Sequence, residues 1–307
     1  MTNNLQHIEK CPLCGHSQFV HVETCEDHFV SHETFSLYAC CNCHFVYTQD
    51  VPIGEAKGRY YQTSDYVSHS DTKKGAVNWV YHQVRNVMIR RKTRLSVKGV
   101  KNGKLLDVGC GTGYFAASVK RQGWNVIGVE LSATASEIAR SKFGIEVISP
   151  EKLSELPHYQ FDTITLWHVL EHLENLNETM ALFSKLLHEK GQLIIALPNS
   201  NSFDAAKYRA SWAAYDVPRH IWHFSPDTFQ LLTEKHGYTI AVMKPMPFDA
   251  FYISILSERY KNRKCPLLRG FLSGVAGYLA SLFDRKKSSS LIYVLRKKSS
   301  ISEMAFH

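Results

Sequence analysis

Three constellations in this chain combine residue types and spacing that suit chemistry. The first runs Lys104-Leu-Leu-Asp107-Val-Gly109-Cys-Gly111-Thr-Gly113, an apolar run entering a glycine-rich turn. Without Cβ atoms, Gly109, Gly111 and Gly113 let the backbone turn tightly and bring its N–H groups against a ligand. Asp107, just before the turn, is placed to accept from a ligand ammonium. Downstream, Asn125 to Glu130 reads as a second buried strand ending in a carboxylate suited to the two hydroxyls of a ribose. A dinucleotide fingerprint requires a third small residue where this chain has Tyr114, so a bound nicotinamide or flavin dinucleotide is disfavoured.

The second constellation is a pair of Cys-x-x-Cys knuckles, Cys11-Pro-Leu-Cys14 and Cys40-Cys-Asn-Cys43, with 25 residues between them. Each knuckle brings two thiolates to one side of an ion, and two knuckles complete a tetrahedral four-sulfur site, the spacing of a zinc ribbon. Cys41 competes with Cys40 as a ligand, and Cys25 is expected to be a bystander. A closed four-thiolate site has no open coordination position, so this zinc would be structural.

The third comprises two histidine-rich stretches, His168-Val-Leu-Glu171-His172 and Asp216-Val-Pro-Arg219-His220-Ile-Trp-His223-Phe224. Both are expected after the carboxyl ends of strands, where open α/β sheets bind ligands. Either is a source of a general base. The plainer alternative for a histidine in a polar loop is a structural hydrogen bond.

These residues must be held by a larger frame, and 307 residues with 44% hydrophobic content suffice for one α/β domain plus an accessory module. Strand signals fall near 104–108, 126–130, 145–148, 162–166, 192–197, 239–244 and 290–296, alternating with helices as a doubly wound sheet requires. A helix over 178–190 is expected to stop at Gly191. Ser225-Pro226-Asp227 opens another with an N-cap, a proline at the first helical position and an acid in the first turn, and Gly237 closes it. The fold class expected is α/β: a doubly wound, seven-stranded Rossmann-like sheet with a small N-terminal zinc ribbon. The division expected is a ribbon over 1–50, a linker and helical segment over 51–99, a core over 100–250, an apolar helical insertion over 251–288, and a final strand and tail over 289–307.

The Asp107, glycine-turn and Glu130 set resembles that of class I S-adenosylmethionine-dependent methyltransferases. Phe161-Asp-Thr-Ile-Thr-Leu166 with the adjoining Trp167-His168-Val-Leu-Glu171-His172 is similar to that family's fourth strand and the helix after it, and Gly191 to Asn199 is similar to its fifth strand. The resemblance implies S-adenosylmethionine as cofactor, held by Asp107, Gly109, Gly111, Gly113 and Glu130. Leu131 and Trp167 would add apolar contact. It also implies a helical lid, to which Tyr61, Tyr66 and His69 are candidates, ahead of a basic amphipathic pattern through Val77, Val80, Val84, Val87 and Met88.

The loop from Asp216 to Phe224 resembles one in a branch that also carries an N-terminal cysteine-rich zinc module and includes sugar C-methyltransferases; ubiquinone-type methyltransferases are similar as well. Arg219 stands where that branch often has glutamate, which offers a planar cation for a phosphate or carboxylate. The resemblance points to His220 as the base, with Arg219 orienting an anionic acceptor, Asp216 fixing the loop, and His168 lining the site. Glu171 and His172 are also similar to the metal ligands of O-methyltransferases with a Glu-x-x-Glu-His pattern. Here His168 replaces the first glutamate, and histidine suits magnesium poorly.

An Asn/Asp-Pro-Pro-Tyr tetrapeptide is absent, as is a Pro-Cys dipeptide, which weakens methylation of exocyclic amines or of cytosine carbon. The acceptor expected is therefore a small or lipid-linked metabolite, such as a sugar or polysaccharide precursor. RNA is the enzymatic rival, given a net charge of +8, although the ribbon has few Lys or Arg. A non-catalytic S-adenosylmethionine-binding adaptor is the rival from another class.

Residues 266–283 hold a single charge, Arg269, between basic clusters at Arg259 to Lys264 and Arg285 to Lys287. At helical spacing, Leu268, Phe271, Leu272, Val275, Leu279, Leu282 and Phe283 share one face, opposite Arg269, Ser273, Gly277 and Ser281. A helix packed on its own domain is preferred, and one lying in an anionic membrane interface is the alternative. Three glycines argue against a membrane span. With no basic segment leading into an apolar run at the N-terminus, the expected location is cytoplasmic, with peripheral contact at the inner membrane face if the interfacial reading holds.

Overall fold

The computed structural model describes residues 5–61 and 76–298, with side chains from 83 onward in the first long helix. Tyr66, His69 and the side chains of Val77 and Val80 lie outside the described residues.

Three sheets organise the chain. The N-terminal segment contributes β1 (Leu5–Gln6), β2 (Phe19–Glu26), β3 (Thr34–Cys40), β4 (Val46–Thr48) and β5 (Val51–Pro52), followed by α1 (Glu55–Gly58) and the long α2 (Ala76–Ser96). The core then alternates: β6 (Lys104–Val108), α3 (Tyr114–Lys120), β7 (Asn125–Val129), α4 (Ala133–Phe143), β8 (Glu146–Ile148), β9 (Phe161–Trp167), α5 (Leu176–Leu186) and β10 (Leu187–Pro198). After it come α6 (Phe203–Tyr208), β11 (Trp222–His223), α7 (Pro226–Lys235), β12 (Tyr238–Pro245), α8 (Asp249–Tyr260), α9 (Pro266–Phe283) and β13 (Ser290–Lys297).

The large sheet has seven strands in the order β12-β13-β10-β9-β6-β7-β8. Strands β6 to β10 pair in parallel, and β13 runs antiparallel between β10 and β12. Its central strands are apolar along most of their length because helices cover both faces; Leu105, Leu106, Ile164, Leu166 and Leu193 to Leu197 are all buried. The seven strands anticipated from sequence are all present, with ends shifted by a few residues.

One boundary differs. Helix α5 ends at Leu186, and β10 begins at Leu187 with an irregular register up to Gln192. Gly191 therefore lies within a strand rather than terminating a helix; a Cβ there would stand 2.7 Å from Leu187 Cδ1. By contrast, Ser225 does cap α7: its Oγ accepts from Thr228 N at 3.2 Å, Thr228 Oγ1 accepts in return from Ser225 N, and Pro226 comes next. Gly237, with φ of 73°, donates to Glu234 O and turns the chain into β12.

The small antiparallel sheet has the order β11-β4-β3-β2. Three strands come from the N-terminal segment and the fourth, β11, from the histidine-rich loop more than 170 positions later, with Trp222 opposite Tyr47 and His223 opposite Val46. Phe45 packs against both Trp222 and Phe224. The cysteine-rich module and the histidine-rich loop thus share one sheet and one apolar core.

Candidate active site

The cofactor turn begins where β6 ends. Gly109, Gly111 and Gly113 all have positive φ, at 71°, 53° and 82°. A side chain at Gly109 would collide with Val169, its Cβ 2.5 Å from Cγ2, whereas one at Gly111 would meet nothing within 4 Å and would project into open space. The turn is therefore pinned on one side and open on the other, the shape of a backbone cradle. Glu130 braces it: one carboxylate oxygen accepts from Gly111 N at 2.9 Å and the other from Ser132 N at 2.8 Å. Beside it, Leu131 is 78% exposed.

Asp107 is buried and accepts from Thr165 Oγ1 at 2.7 Å. Burial raises its carboxyl to about 7, against the Thr165 hydrogen bond and the Lys92 ammonium, which both favour the charged form. Lys92 comes from α2, its ammonium 4.4 Å from the centroid of the Trp167 ring. The indole Nε1 of Trp167 is buried without a hydrogen-bond partner. A buried carboxyl raised by desolvation, beside a turn whose Gly111 faces open space, would be relieved by an ammonium-bearing ligand, so the residues fit S-adenosylmethionine.

From β9 the chain runs over the turn through Val169 into a short helical turn, Leu170–His172. The histidine-rich loop is fastened to this turn by Ile221 N donating to Glu171 O at 2.8 Å and Trp222 Nε1 donating to Leu173 O at 2.7 Å. The His172 and His220 rings consequently lie 4.4 Å apart between centroids. Each Nδ1 faces a backbone carbonyl, Arg219 O at 3.0 Å for His172 and Ala214 O at 2.9 Å for His220, which directs the opposite ring nitrogen away from the backbone; Nε2 of His220 lies 3.8 Å from Asp216 Oδ2. Burial, with the neighbouring His220, lowers the His172 imidazole to about 4. Glu171 completes the group: its ligand oxygen and one nitrogen from each ring lie within 4.8 Å of one another. The carboxylate is 1% exposed and neither oxygen has a hydrogen bond. This set suits either a proton relay or a divalent cation.

His168 points elsewhere. Its Nε2 is 3.3 Å from Asp249 at the start of α8 and its Nδ1 is 3.5 Å from Glu171. Although burial works against the charge, these two carboxylates outweigh it and raise the imidazole to about 9. His168 is therefore an imidazolium held between two acids. The sequence pattern groups it with Glu171 and His172 as ligands; in three dimensions His220 takes that place.

Arg219 also differs from expectation. It is 4% exposed, and its guanidinium donates to both oxygens of Asp216, to Tyr60 O at 3.0 Å and to Asp27 Oδ1 at 2.8 Å. Asp27 is in turn held by the backbone N–H groups of Phe29, Val30 and Ser31. A guanidinium so enclosed clamps the loop to the N-terminal module, which leaves no open face for an anionic acceptor. Asp216 fixes the loop through this clamp. Asp27, Asp249 and Lys92 carry no local motif; only their charge hints at them. Tyr61 does approach the site, its hydroxyl 3.4 Å from His172 Nδ1.

Cys11, Cys14, Cys40 and Cys43 converge, their sulfurs all within 4.8 Å of one another, with Cys11 to Cys43 and Cys14 to Cys40 at 3.5 Å. A tetrahedral zinc with bonds of ~2.3 Å places sulfurs roughly 3.8 Å apart, so the four thiols fit. Cys41 is exposed outside the cluster and Cys25 is buried near Leu37, away from it.

A family model for the methyltransferase domain matches residues 80–241, which hold the turn, Glu130 and both histidine stretches. The chain belongs to the methyltransferase-domain family. It is an S-adenosylmethionine-dependent methyltransferase of class I. The methyltransferase is 28% identical over 179 residues to a ubiquinone biosynthesis O-methyltransferase of Pelagibacter ubique, covering 53% of this chain and 73% of the relative. An uncharacterized protein of Haemophilus influenzae is 32% identical over 123 residues, 36% of this chain and 48% of the relative. Among solved structures, geranyl diphosphate C-methyltransferase from Streptomyces coelicolor A3(2) superposes with a TM-score of 0.52 at 12% identity, over 77% of this methyltransferase and 86% of that chain. That likeness establishes the shared fold.

Proposed function

We propose that this methyltransferase transfers a methyl group to a small-molecule acceptor carrying an acidic hydroxyl, its substrate a sugar-like or lipid-linked metabolite. The observation that carries this reading is the His172–His220 pair, two imidazoles 4.4 Å apart whose Nδ1 atoms face backbone carbonyls, beside the buried carboxylate of Glu171. S-adenosylmethionine, when bound, supplies an electrophilic methyl on a sulfonium.

The chain's own residues do the rest. Asp107 would accept from the cofactor's ammonium, the Gly109 to Gly113 backbone would take its methionine portion, Glu130 would meet the ribose hydroxyls, and Leu131 and Trp167 would cover apolar parts. His220 would take the proton from the acceptor hydroxyl at Nε2 as the acceptor oxygen bonds the methyl carbon and the methyl–sulfur bond breaks, the sulfur keeping the electron pair as a neutral thioether, and Glu171 would stabilise the resulting imidazolium. His168, already charged, positions Glu171 and touches no acceptor. Arg219 acts as a positioning residue for His220. The four cysteines would hold a structural zinc, which would fix the module carrying β4, the strand on which β11 is built.

One observation favours a second reading. The same Glu171, His172 and His220 atoms, within 4.8 Å of one another, suit a divalent cation that would bind and acidify the acceptor hydroxyl.

The reaction is tested by incubating the protein with methyl-labelled S-adenosylmethionine and fractionated cell extract. Label in a lipid, glycan or small-molecule fraction supports the proposal; label in RNA alone, or none despite tight cofactor binding, overturns it in favour of an RNA enzyme or an adaptor.

A further inference from the structure

Helix α9 is packed inside out. Its buried residues are Gly270, Ser273, Gly274, Gly277 and Ser281, the small-residue stripe, while Leu267, Leu268, Phe271, Leu272, Leu279, Leu282 and Phe283 are exposed. A Cβ at Gly270 would stand 2.5 Å from Ile255 Cα and one at Gly274 would stand 2.6 Å from Phe251 Cδ1, so α9 lies backbone to backbone on α8. The exposed residues recur at intervals of one, three and four, which gathers them on one continuous face opposite that contact. Exposure is 59% at Leu272, 62% at Leu282 and 93% at Phe283. An apolar surface this concentrated is a mark of an interaction site.

Charge chooses the occupant. Exposed Arg259, Arg263 and Lys264 precede the helix, and exposed Arg285 comes after it, next to Lys286, which is paired with Asp227 at 2.8 Å. Pairing with a second copy along this face, in either helix direction, would set one basic cluster against another and cost Coulomb energy. An anionic bilayer surface satisfies the leucine and phenylalanine face and both basic ends at once. The helix has the length and composition of a membrane span, yet crossing would strip its small-residue stripe from α8.

We infer that α9 docks this protein on an anionic lipid surface, lying in the interface plane with Leu268, Phe271, Leu272, Leu279, Leu282 and Phe283 toward the acyl chains. The inference deepens the lipid-linked side of the proposed function, because α8, the element beneath α9, also carries Asp249, the partner of His168. Its physical basis is independent of methyl transfer.

The test is co-sedimentation of the full chain with vesicles of phosphatidylcholine alone and of phosphatidylcholine containing phosphatidylglycerol, at low and high salt. The wild type is expected to bind the anionic vesicles at least about tenfold more tightly, a preference that salt weakens. Leu268→Asp with Leu272→Asp should abolish binding, and Arg263→Glu with Lys264→Glu should weaken it by roughly fivefold or more per residue. All four positions are exposed; unchanged circular dichroism and unchanged cofactor affinity by calorimetry check that the variants fold. No binding to either vesicle, equal binding to both, or a concentration-dependent dimer broken by the Asp pair without vesicle binding would each overturn the inference. Vesicle binding by a protein that labels no acceptor pool would leave docking intact and remove the proposed function instead.

Discussion

Arg219 reaches across the molecule to Asp27, Nη2 to Oδ1 at 2.8 Å, with both side chains almost fully buried. The contact joins the histidine-rich loop to the hairpin between β2 and β3, 192 positions away in sequence. The Arg219 ion pair outweighs burial and holds the Asp27 carboxyl below the usual carboxylate range. Removing Asp27 leaves the buried Arg219 with Asp216 as its remaining carboxylate partner, so the loss is that of charge-assisted hydrogen bonds rather than of a whole ion pair. Asp27→Ala should cost about 1.5–3 kcal/mol in denaturant unfolding. Arg219→Lys should recover little of the Arg219→Ala loss, because an ammonium cannot reproduce the fork to Asp216 and Asp27. Equal stability of wild type and Asp27→Ala would remove the clamp.

Zinc removal should reach the acceptor loop before the cofactor site. Elemental analysis is expected to find one zinc per chain, lost on Cys14→Ser or strong chelation. Since β11 pairs with β4 of the cysteine module, methyl transfer should fall sharply while cofactor affinity changes by no more than roughly twofold. A chain with no zinc and full activity would refute the structural role.

Cofactor affinity should depend on the protonation of Asp107. Its carboxyl, raised to about 7 by burial, favours the protonated form in the free protein. Binding an ammonium requires a charged carboxylate and a protonated ligand amine, so affinity should rise as pH passes upward through about 7 and fall again as the ligand's α-amino group loses its proton near about 8. The same raised value makes Asp107 contribute stability that is present below about 4 and lost as pH rises toward 7. Calorimetry near pH 7 should show proton release on binding, detected as a dependence of the heat on buffer. Asp107→Asn should weaken binding about 10- to 100-fold and flatten this dependence, the loss of one charge-assisted hydrogen bond. A pH-independent affinity in the wild type would contradict the assignment.

His220→Ala should lower kcat by about 10²- to 10⁴-fold with little change in cofactor affinity, the usual weight of a general base. His172→Ala should also reduce kcat, but less, since His172 only packs against the base, ring edge to ring face. Activity that survives a chelator too weak to strip the four-thiolate site favours the proton relay. Activity that is lost and then restored by magnesium or manganese favours a cation at Glu171, His172 and His220.

Motifs contained within one strand and its adjoining turn are readable from sequence alone. Lys104 to Gly113 has a buried run, a turn and a carboxylate within ten positions, so its identity depends on local backbone chemistry. The same holds for Ser225 as a cap and for each cysteine knuckle. Gly191 misleads because a glycine ending a helix and one within an irregular strand look alike without the neighbouring strand's register.

Composition, periodicity and short motifs by themselves determined the sheet, the glycine turn and the four converging cysteines, because each depends on contacts among residues close in sequence or on repeated spacing, and the resemblance of those motifs to a known family supplied the family. Tertiary structure alone decided that Arg219 is a clamp, that His220 rather than His168 joins Glu171 and His172, and that α9 buries its small side. Periodicity divides a helix into two faces without saying which one meets a neighbour. In α9 that was settled by how closely two backbones approach, since only glycine and serine leave room for Ile255 and Phe251 of α8.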